Sequence, residues 1–257
     1  MTIDLNADCG ESFGPWTMGD DAAILKIVTS ANIACGFHAG DPETMLATLR
    51  LAVEGGVQIG AHPGFDDKPG FGRRVIPLSA GEITRMVAYQ IGAACAMAAL
   101  AGGTVRHVKA HGALSNFASA NREAADAVAA AVKAVDPGLT LLAVATTELE
   151  RAGKDAGLKT AAEIFADRAY EPDGQLRSRK LPGAMVHDPA TAAHNVTRMV
   201  SEGALFAHDG TRIETDIHSV CVHGDGPEAI AIARAVREAL TAKGHTLAPF
   251  ATPSAAP

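Results

Sequence analysis

The chain has 257 residues, 47% hydrophobic but only 4% aromatic, with a formal net charge of −7. The acidic balance argues against nucleic acid or an anionic membrane as the main partner. It leaves alanine, valine, leucine and isoleucine to fill a core large enough for one sizeable α/β domain.

Cys9, Cys35, Cys95 and Cys221 show no CxxC spacing and lie in apolar surroundings, so they read as free thiols of a reducing compartment. No leader-like segment opens the chain, and the alanine-rich stretch around Ile91 to Ala101 reads as too short to span a bilayer. The expectation is a cytoplasmic protein without a membrane segment.

In chain order, Ile3 to Ala7 reads as a first strand, partly alternating, and Asp20 to Thr29 as a helix. Ala31 to Cys35 is a second strand. It is followed by Gly36-Phe37-His38-Ala39-Gly40 and a helix start in which Asp41 caps and Pro42 takes the first helical position. That helix runs to Gly55-Gly56 and buries Met45, Leu49, Ala52 and Val53. Val57 to Ala61 then leads to His62-Pro63-Gly64 and a charged, glycine-rich loop, Phe65 to Arg74. Ser79 and Glu82 form a capping box for a long helix ending at Gly102-Gly103.

Val105 to Val108 is the fourth strand, ending in Lys109-Ala110-His111, and a helix covers Ala120 to Val135. Leu139 to Val144 is the fifth strand, Glu148 to Ala156 a helix, and Ala161 to Ala166 the sixth strand, ending in Asp167-Arg168. An irregular stretch follows, Tyr170 to Pro189, carrying Arg177, Arg179 and Lys180. Next come a helix over Ala190 to Glu202 and a hairpin from Leu205 to Thr215 about Asp209-Gly210. Ser219 to Val222 is the seventh strand, ending in His223-Gly224-Asp225, and Glu228 to Ala242 the last helix. Residues 1–247 read as one domain and 248–257 as a disordered tail.

Seven apolar strands alternating with helices imply α/β architecture, most simply an irregular seven-stranded parallel (β/α) barrel. An open doubly wound sheet is the alternative, weakened because no GxGxxG or Walker A loop follows any strand. The residues just past the strand ends are chemically loaded: Asp8 and Glu11, His38, His62, Lys109 and His111, Asp167 and Arg168, His223 and Asp225. A barrel places such positions on one rim. His107, His194, His208 and His245 fall elsewhere and read as structural.

Three roles are open to the rim. Asp8, His38 and His62 could bind a divalent metal. Asp8, Glu11 or Asp225 could act as general base. Lys109, with Arg73, Arg74 or Arg168, could hold a carboxylate or phosphate or stabilise an oxyanion.

Seven blocks carry a resemblance to a known family: DLNADCGESFG (4–14), SANIACGFHAGDP (30–42), IGAHPGF (59–65), GFGRR (70–74), VKAHGALSN (108–116), FADRAYEPDGQLRSR (165–179) and VHGD (222–225). On these the chain resembles the LamB/YcsF family. Ala110 and Ser115 stand where the family usually has proline and tyrosine, which bears on substrate preference. The resemblance implies a barrel similar to carbohydrate deacetylases. It also implies ATP-dependent opening of the 5-oxoproline (pyroglutamate) lactam to L-glutamate with two further 5-oxoprolinase subunits, B and C, and MgATP handled jointly with those partners.

On that chemistry, Asp8, Glu11, Lys109, His111, His223 and Asp225 are the catalytic candidates. His38, His62, Arg73, Arg74, Asp167 and Arg168 are the candidates for binding substrate or phosphate. The competing expectations are a metal-dependent amidohydrolase or deacetylase using no ATP, and a non-catalytic ligand-binding subunit.

Overall fold

The first strand, β1 (Thr2–Cys9), shows how this sequence builds its barrel. Ile3, Leu5, Ala7 and Cys9 alternate with Asp4, Asn6 and Asp8, and both sets are buried. With a two-residue side-chain period, one face must therefore be apolar and the other polar. The polar set makes cross-barrel contacts: Asn6 Nδ2 donates to Glu163 Oε1 (2.9 Å) and to Ser219 Oγ (2.7 Å). The apolar set joins the core between strands and helices.

The computed structural model describes residues 1–223 and 228–250. Around the barrel run β1, β2 (Ser30–Ala34), β3 (Gln58–His62), β4 (Val105–Lys109), β5 (Thr140–Val144), β6 (Lys159–Phe165) and β9 (Ser219–Val222), all parallel, and β9 pairs back onto β1. This is the closed seven-stranded barrel the strand count implies, and it rules out the open sheet. Between β6 and β9 the chain inserts the antiparallel hairpin β7 (Ala204–Phe206) and β8 (Arg212–Glu214), as the Asp209-Gly210 turn predicts.

The outer layer comprises α1 (Asp21–Ile24), α2 (Pro42–Glu54), α3 (Ala80–Leu100), α4 (Gly112–Ala120), α5 (Arg122–Val135), α6 (Glu148–Asp155), α7 (Pro189–Glu202) and α8 (Ala229–Ala242). Asp41 caps α2, accepting from Thr44 N at 2.8 Å, and Ser79 with Glu82 forms the expected box on α3.

Several expectations need correction. The helix expected over Asp20 to Thr29 closes after Ile24. Thr29 is drawn to the barrel instead, its N–H donating to the Leu5 carbonyl (2.7 Å) and its hydroxyl to Asp4 Oδ1 (2.6 Å). Val53 is exposed rather than buried on α2. The stretch around Ile91 to Ala101 belongs to the 21-residue α3, which is long and apolar enough by length and composition to cross a membrane. In this fold Ile83, Val87, Ile91, Ala94 and Ala98 turn one face of it to the core, and Gln90 donates to the Gly64 carbonyl (2.9 Å). α4 has no counterpart among the predicted elements, since Gly112, Ser115 and Asn116 weaken its helical pattern.

A short strand, β10 (Thr246–Leu247), pairs with the start of β1, and Ala248 N donates to the Ile3 carbonyl at 3.1 Å. Phe250 meets the His107 ring edge-on (centroids 5.1 Å), covering the end of the barrel where the strands begin. The first residues of the expected tail are thus packed; 251–257 lie outside the described residues.

Candidate active site

The lower barrel interior is a hydrogen-bonded polar stack. Asp4 accepts from Thr29 Oγ1 and Ser30 Oγ (both 2.6 Å) and from Ser219 Oγ. Burial raises its pKa to about 6, against the three hydroxyl donors that lower it. Above it Asn32 Nδ2 donates to Asn6 Oδ1 (2.7 Å) and Asp8 Oδ1 (2.9 Å), and His107 Nε2 lies 2.8 Å from Asn32 Oδ1. Gly60 stands opposite His107 in register, and a Cβ there would fall 2.1 Å from the ring nitrogen. Only glycine leaves room for that imidazole. His107 is structural, as expected.

Lys109, the last residue of β4, closes this stack. Its ammonium contacts Glu163 Oε1 (2.9 Å), Asp8 Oδ1 (3.0 Å), Cys221 Sγ (3.0 Å) and Asn6 Oδ1 (3.3 Å). Burial acts to lower its pKa, but Asp8, Cys221 and Glu163 outweigh that and hold it above the ordinary value. Asp8 is in turn pulled down, burial being outweighed by His62 and Lys109. Cys221 therefore does not lie in apolar surroundings as its neighbours in sequence suggest, although all four cysteines are free thiols.

The histidines form a second layer. His62 donates Nδ1–H to the Lys109 carbonyl (2.7 Å), and its Nε2 faces Asp8 Oδ2 (3.3 Å) and His111 Nδ1 (3.1 Å). His111 donates Nε2–H to the Phe71 carbonyl (2.9 Å). Phe71 presents that carbonyl because it caps a short 3-10 turn in the left-handed region (φ 53°). Glu11 Oε1 lies 3.1 Å from His38 Nε2 and 3.5 Å from His111 Nδ1. His38 is stacked on His111, centroids 3.6 Å apart and planes within 3°. Burial lowers the pKa of both His38 and His111, so both are neutral near pH 7.

His223 completes the rim, its Nδ1 2.7 Å from Asp167 Oδ2. Burial would lower its pKa, but Asp167 prevails and raises it. Asp167 fixes the tautomer and favours the charged ring, a dyad suited to giving and taking a proton.

These groups open on a cavity of about 530 Å³. Asp8, Glu11, His62, Lys109, His111 and His223 line it, with Arg73, Arg168, Arg179 and Lys180 adding positive charge. Burial and the neighbouring Arg179 pull the Arg168 guanidinium down to about 10. His38 and Asp167 lie behind their partners, outside the lining.

Arg74 is not brought to the site. Its guanidinium is paired with buried Asp67, and its side chain is largely exposed, so it braces the 65–74 loop rather than meeting a ligand. The set Asp8, His38 and His62 does not converge on one point either. Among the described residues two clusters do, Glu11, His38, His62 and His111, and Asp8, Cys221 and His223, each with ligand atoms within 4.8 Å of one another. Asp225 lies outside the described residues.

Sequence reasoning missed Glu163, although an acidic residue inside the apolar strand Ala161 to Phe165 signals a buried ion pair. It also missed that Gln175, Ser178, Arg179 and Lys180 of the irregular stretch form cavity wall. Ser115 lines the cavity too, as does the buried Ala110.

A model described as the LamB/YcsF family matches residues 3–255. The chain is 58% identical to the A-subunit of 5-oxoprolinase from Rhodopseudomonas palustris (strain ATCC BAA-98 / CGA009) over 252 residues, 98% of this chain and 99% of that one. It is 54% identical to the protein of the same name from Gluconobacter oxydans (strain 621H), over 95% and 96% of the two chains. A crystal structure of the lactam utilization protein from Thermus thermophilus superposes with a TM-score of 0.91 at 47% identity, covering 96% of this chain and 99% of that one. An Enterococcus faecalis V583 structure, at TM-score 0.56 and 14% identity over 97% of each chain, shares the barrel alone.

Proposed function

The chain belongs to the LamB/YcsF family, and from that premise we propose that it is one component of an ATP-dependent 5-oxoprolinase, opening the 5-oxoproline lactam to L-glutamate with two partner subunits. The names of its relatives support the lactam as substrate. The observation that carries the chemistry is a buried Lys109–Asp8–Glu163 centre opening on a cavity whose wall holds Arg73, Arg168 and Arg179.

A five-membered lactam is a resonance-stabilised amide, so its carbonyl carbon is a poor electrophile. Transfer of the γ-phosphoryl group of MgATP to the lactam oxygen, with release of ADP, activates that carbon. A base then takes a proton from attacking water, and the C–N bond breaks as the ring nitrogen is protonated. A second water cleaves the resulting acyl phosphate to glutamate and phosphate.

Each demand has a group at the rim. Arg168 with Arg179 suits the substrate carboxylate. Lys109 and Arg73 suit the charge that develops on oxygen and phosphate. The Asp167-supported His223 suits the proton transfers, and Asp8 the water. No phosphate-binding loop follows any strand, which fits nucleotide handling shared with partner chains.

The test is to incubate the isolated chain with 5-oxoproline and MgATP, then repeat with the two partner subunits, measuring glutamate and ADP. ATP-coupled glutamate appearing only in the mixture is the expected result. Robust ATP-independent glutamate release by the isolated chain would overturn this reading in favour of a simple amidohydrolase.

A further inference from the structure

We infer that Glu11, His62 and His111 form a site for one divalent transition-metal ion of the zinc class, with a further position open to an oxygen donor from the cavity. The inference concerns the site itself and stands whether or not the nucleotide-dependent reading does.

Backbone carbonyls decide which ring nitrogens carry protons. His62 commits Nδ1–H to the Lys109 carbonyl at 2.7 Å, and His111 commits Nε2–H to the Phe71 carbonyl at 2.9 Å. With those two protons committed outward, His62 Nε2 and His111 Nδ1 are left facing each other at 3.1 Å. Two acceptors so close repel unless a cation lies between them. Donation from the other ring nitrogen to a carbonyl is how metal-ligating histidines are commonly fixed.

Two of the three ligand edges have the length an ion would impose, and all the ligand atoms lie within 4.8 Å of one another. Zinc–nitrogen bonds of about 2.0–2.1 Å in tetrahedral geometry put neighbouring ligand atoms ~3.3 Å apart. The His62–His111 pair at 3.1 Å and the His111 Nδ1–Glu11 Oε1 pair at 3.5 Å bracket that edge. Two imidazoles and one carboxylate are a donor set for zinc or its first-row neighbours rather than for calcium or magnesium.

His38 is not a ligand in this assignment. Its ring is stacked flat on His111, so an ion in the plane of His111 lies outside the plane of His38. Its Nε2, 3.1 Å from Glu11 Oε1, makes it a positioning residue that holds the carboxylate toward the two ligating nitrogens. All four residues are buried, whereas Glu11, His62 and His111 also reach the cavity. That arrangement leaves the remaining position to water or a carbonyl oxygen.

The rival account is a proton: His62 protonated on both nitrogens and donating to His111 and Asp8. The experiment is elemental analysis of full-length protein purified without chelator, followed by chelation and titration with Co²⁺ or Zn²⁺. The expected results are near-stoichiometric metal and, with Co²⁺, the visible bands of low-coordinate cobalt. The near-isosteric Glu11→Gln and His111→Gln should each abolish stoichiometric binding. His38→Ala should weaken it by about 10–100-fold, as loss of an orienting partner does, and His194→Ala should leave it unchanged.

Should the glutamine variants misfold by circular dichroism, histidine nitrogen NMR of the parent protein decides. Added Zn²⁺ should shift His62 Nε2 and His111 Nδ1 and leave His107 in place. No binding, with His62 doubly protonated, would overturn the assignment. So would binding that follows Asp8, Cys221 and His223, a second cluster of potential ligands, instead of Glu11 and His111.

Discussion

Lys109 has more acceptors around its ammonium than protons to give them, which changes what its replacement should do. Lys109→Met removes a group placed to meet developing negative charge, a loss on the order of 10²–10³ in rate in the assembled complex. It also strands Asp8 and Glu163 as buried carboxylates 3.0 and 2.9 Å from the lost nitrogen, destabilising the fold by ~3–5 kcal/mol. Lys109→Met with Glu163→Gln should therefore recover much of the denaturation midpoint while turnover stays low. Recovery of both would make Lys109 purely structural. Asp4 offers a pH test. Its native pKa of about 6 lies above its ordinary 3.8, so between those values the folded state holds a proton the unfolded chain has lost. Stability thus falls as pH rises from about 4 to about 6, by ~3 kcal/mol, and then levels off. Asp4→Asn should lack that slope. The difference between parent and variant in urea unfolding at stepped pH isolates it, because His107, held near 3 by burial, contributes the opposite trend to both. A parent–variant difference that is flat across the window would mean Asp4 is not perturbed. Asp8, Lys109 and the histidines were legible in the sequence because they follow strand ends. Glu163 was not, because its role depends on a partner across the barrel.

At the level of single elements, β3 and the turn after β5 carry the tightest fits. Gly60→Ala would drive a methyl group into His107 Nε2, so it should destabilise by ~1–3 kcal/mol through overpacking. The companion change His107→Ala should return part of that loss in thermal melts; no rescue would place the strain elsewhere. Thr146, just past β5, sits at φ 69° with its hydroxyl buried and unpartnered. A β-branched residue is costly there. Thr146→Gly should raise stability by ~1 kcal/mol, and an unchanged or lower midpoint would show that the side chain is needed against Gly174. Elements with strong local signals, such as α2 behind Asp41 and α3 behind Ser79, could be read from the sequence. The end of α1 and the whole of α4 could not: the first is cut short when Thr29 bonds to β1, and the second follows from loop geometry around His111.

For the whole molecule, strand count and order made a barrel the simplest reading with an open sheet as the alternative, and the pairing of β9 back onto β1 decides between them. What composition could not reveal is where the polar residues go. The barrel interior is not an aliphatic plug but Asp4, Asn6, Asn32, His107, Lys109, Glu163 and Ser219, held by one another. That has a calorimetric consequence. Unfolding exposes these groups to water, and polar exposure lowers the heat-capacity change that apolar exposure raises. The increment on unfolding should therefore fall toward the lower end of the ~12–15 cal/mol/K per residue usual for globular chains. Fitting urea unfolding over a range of temperatures would give the value. An increment at or above the upper end of that range would mean that water already reaches the barrel interior in the folded protein.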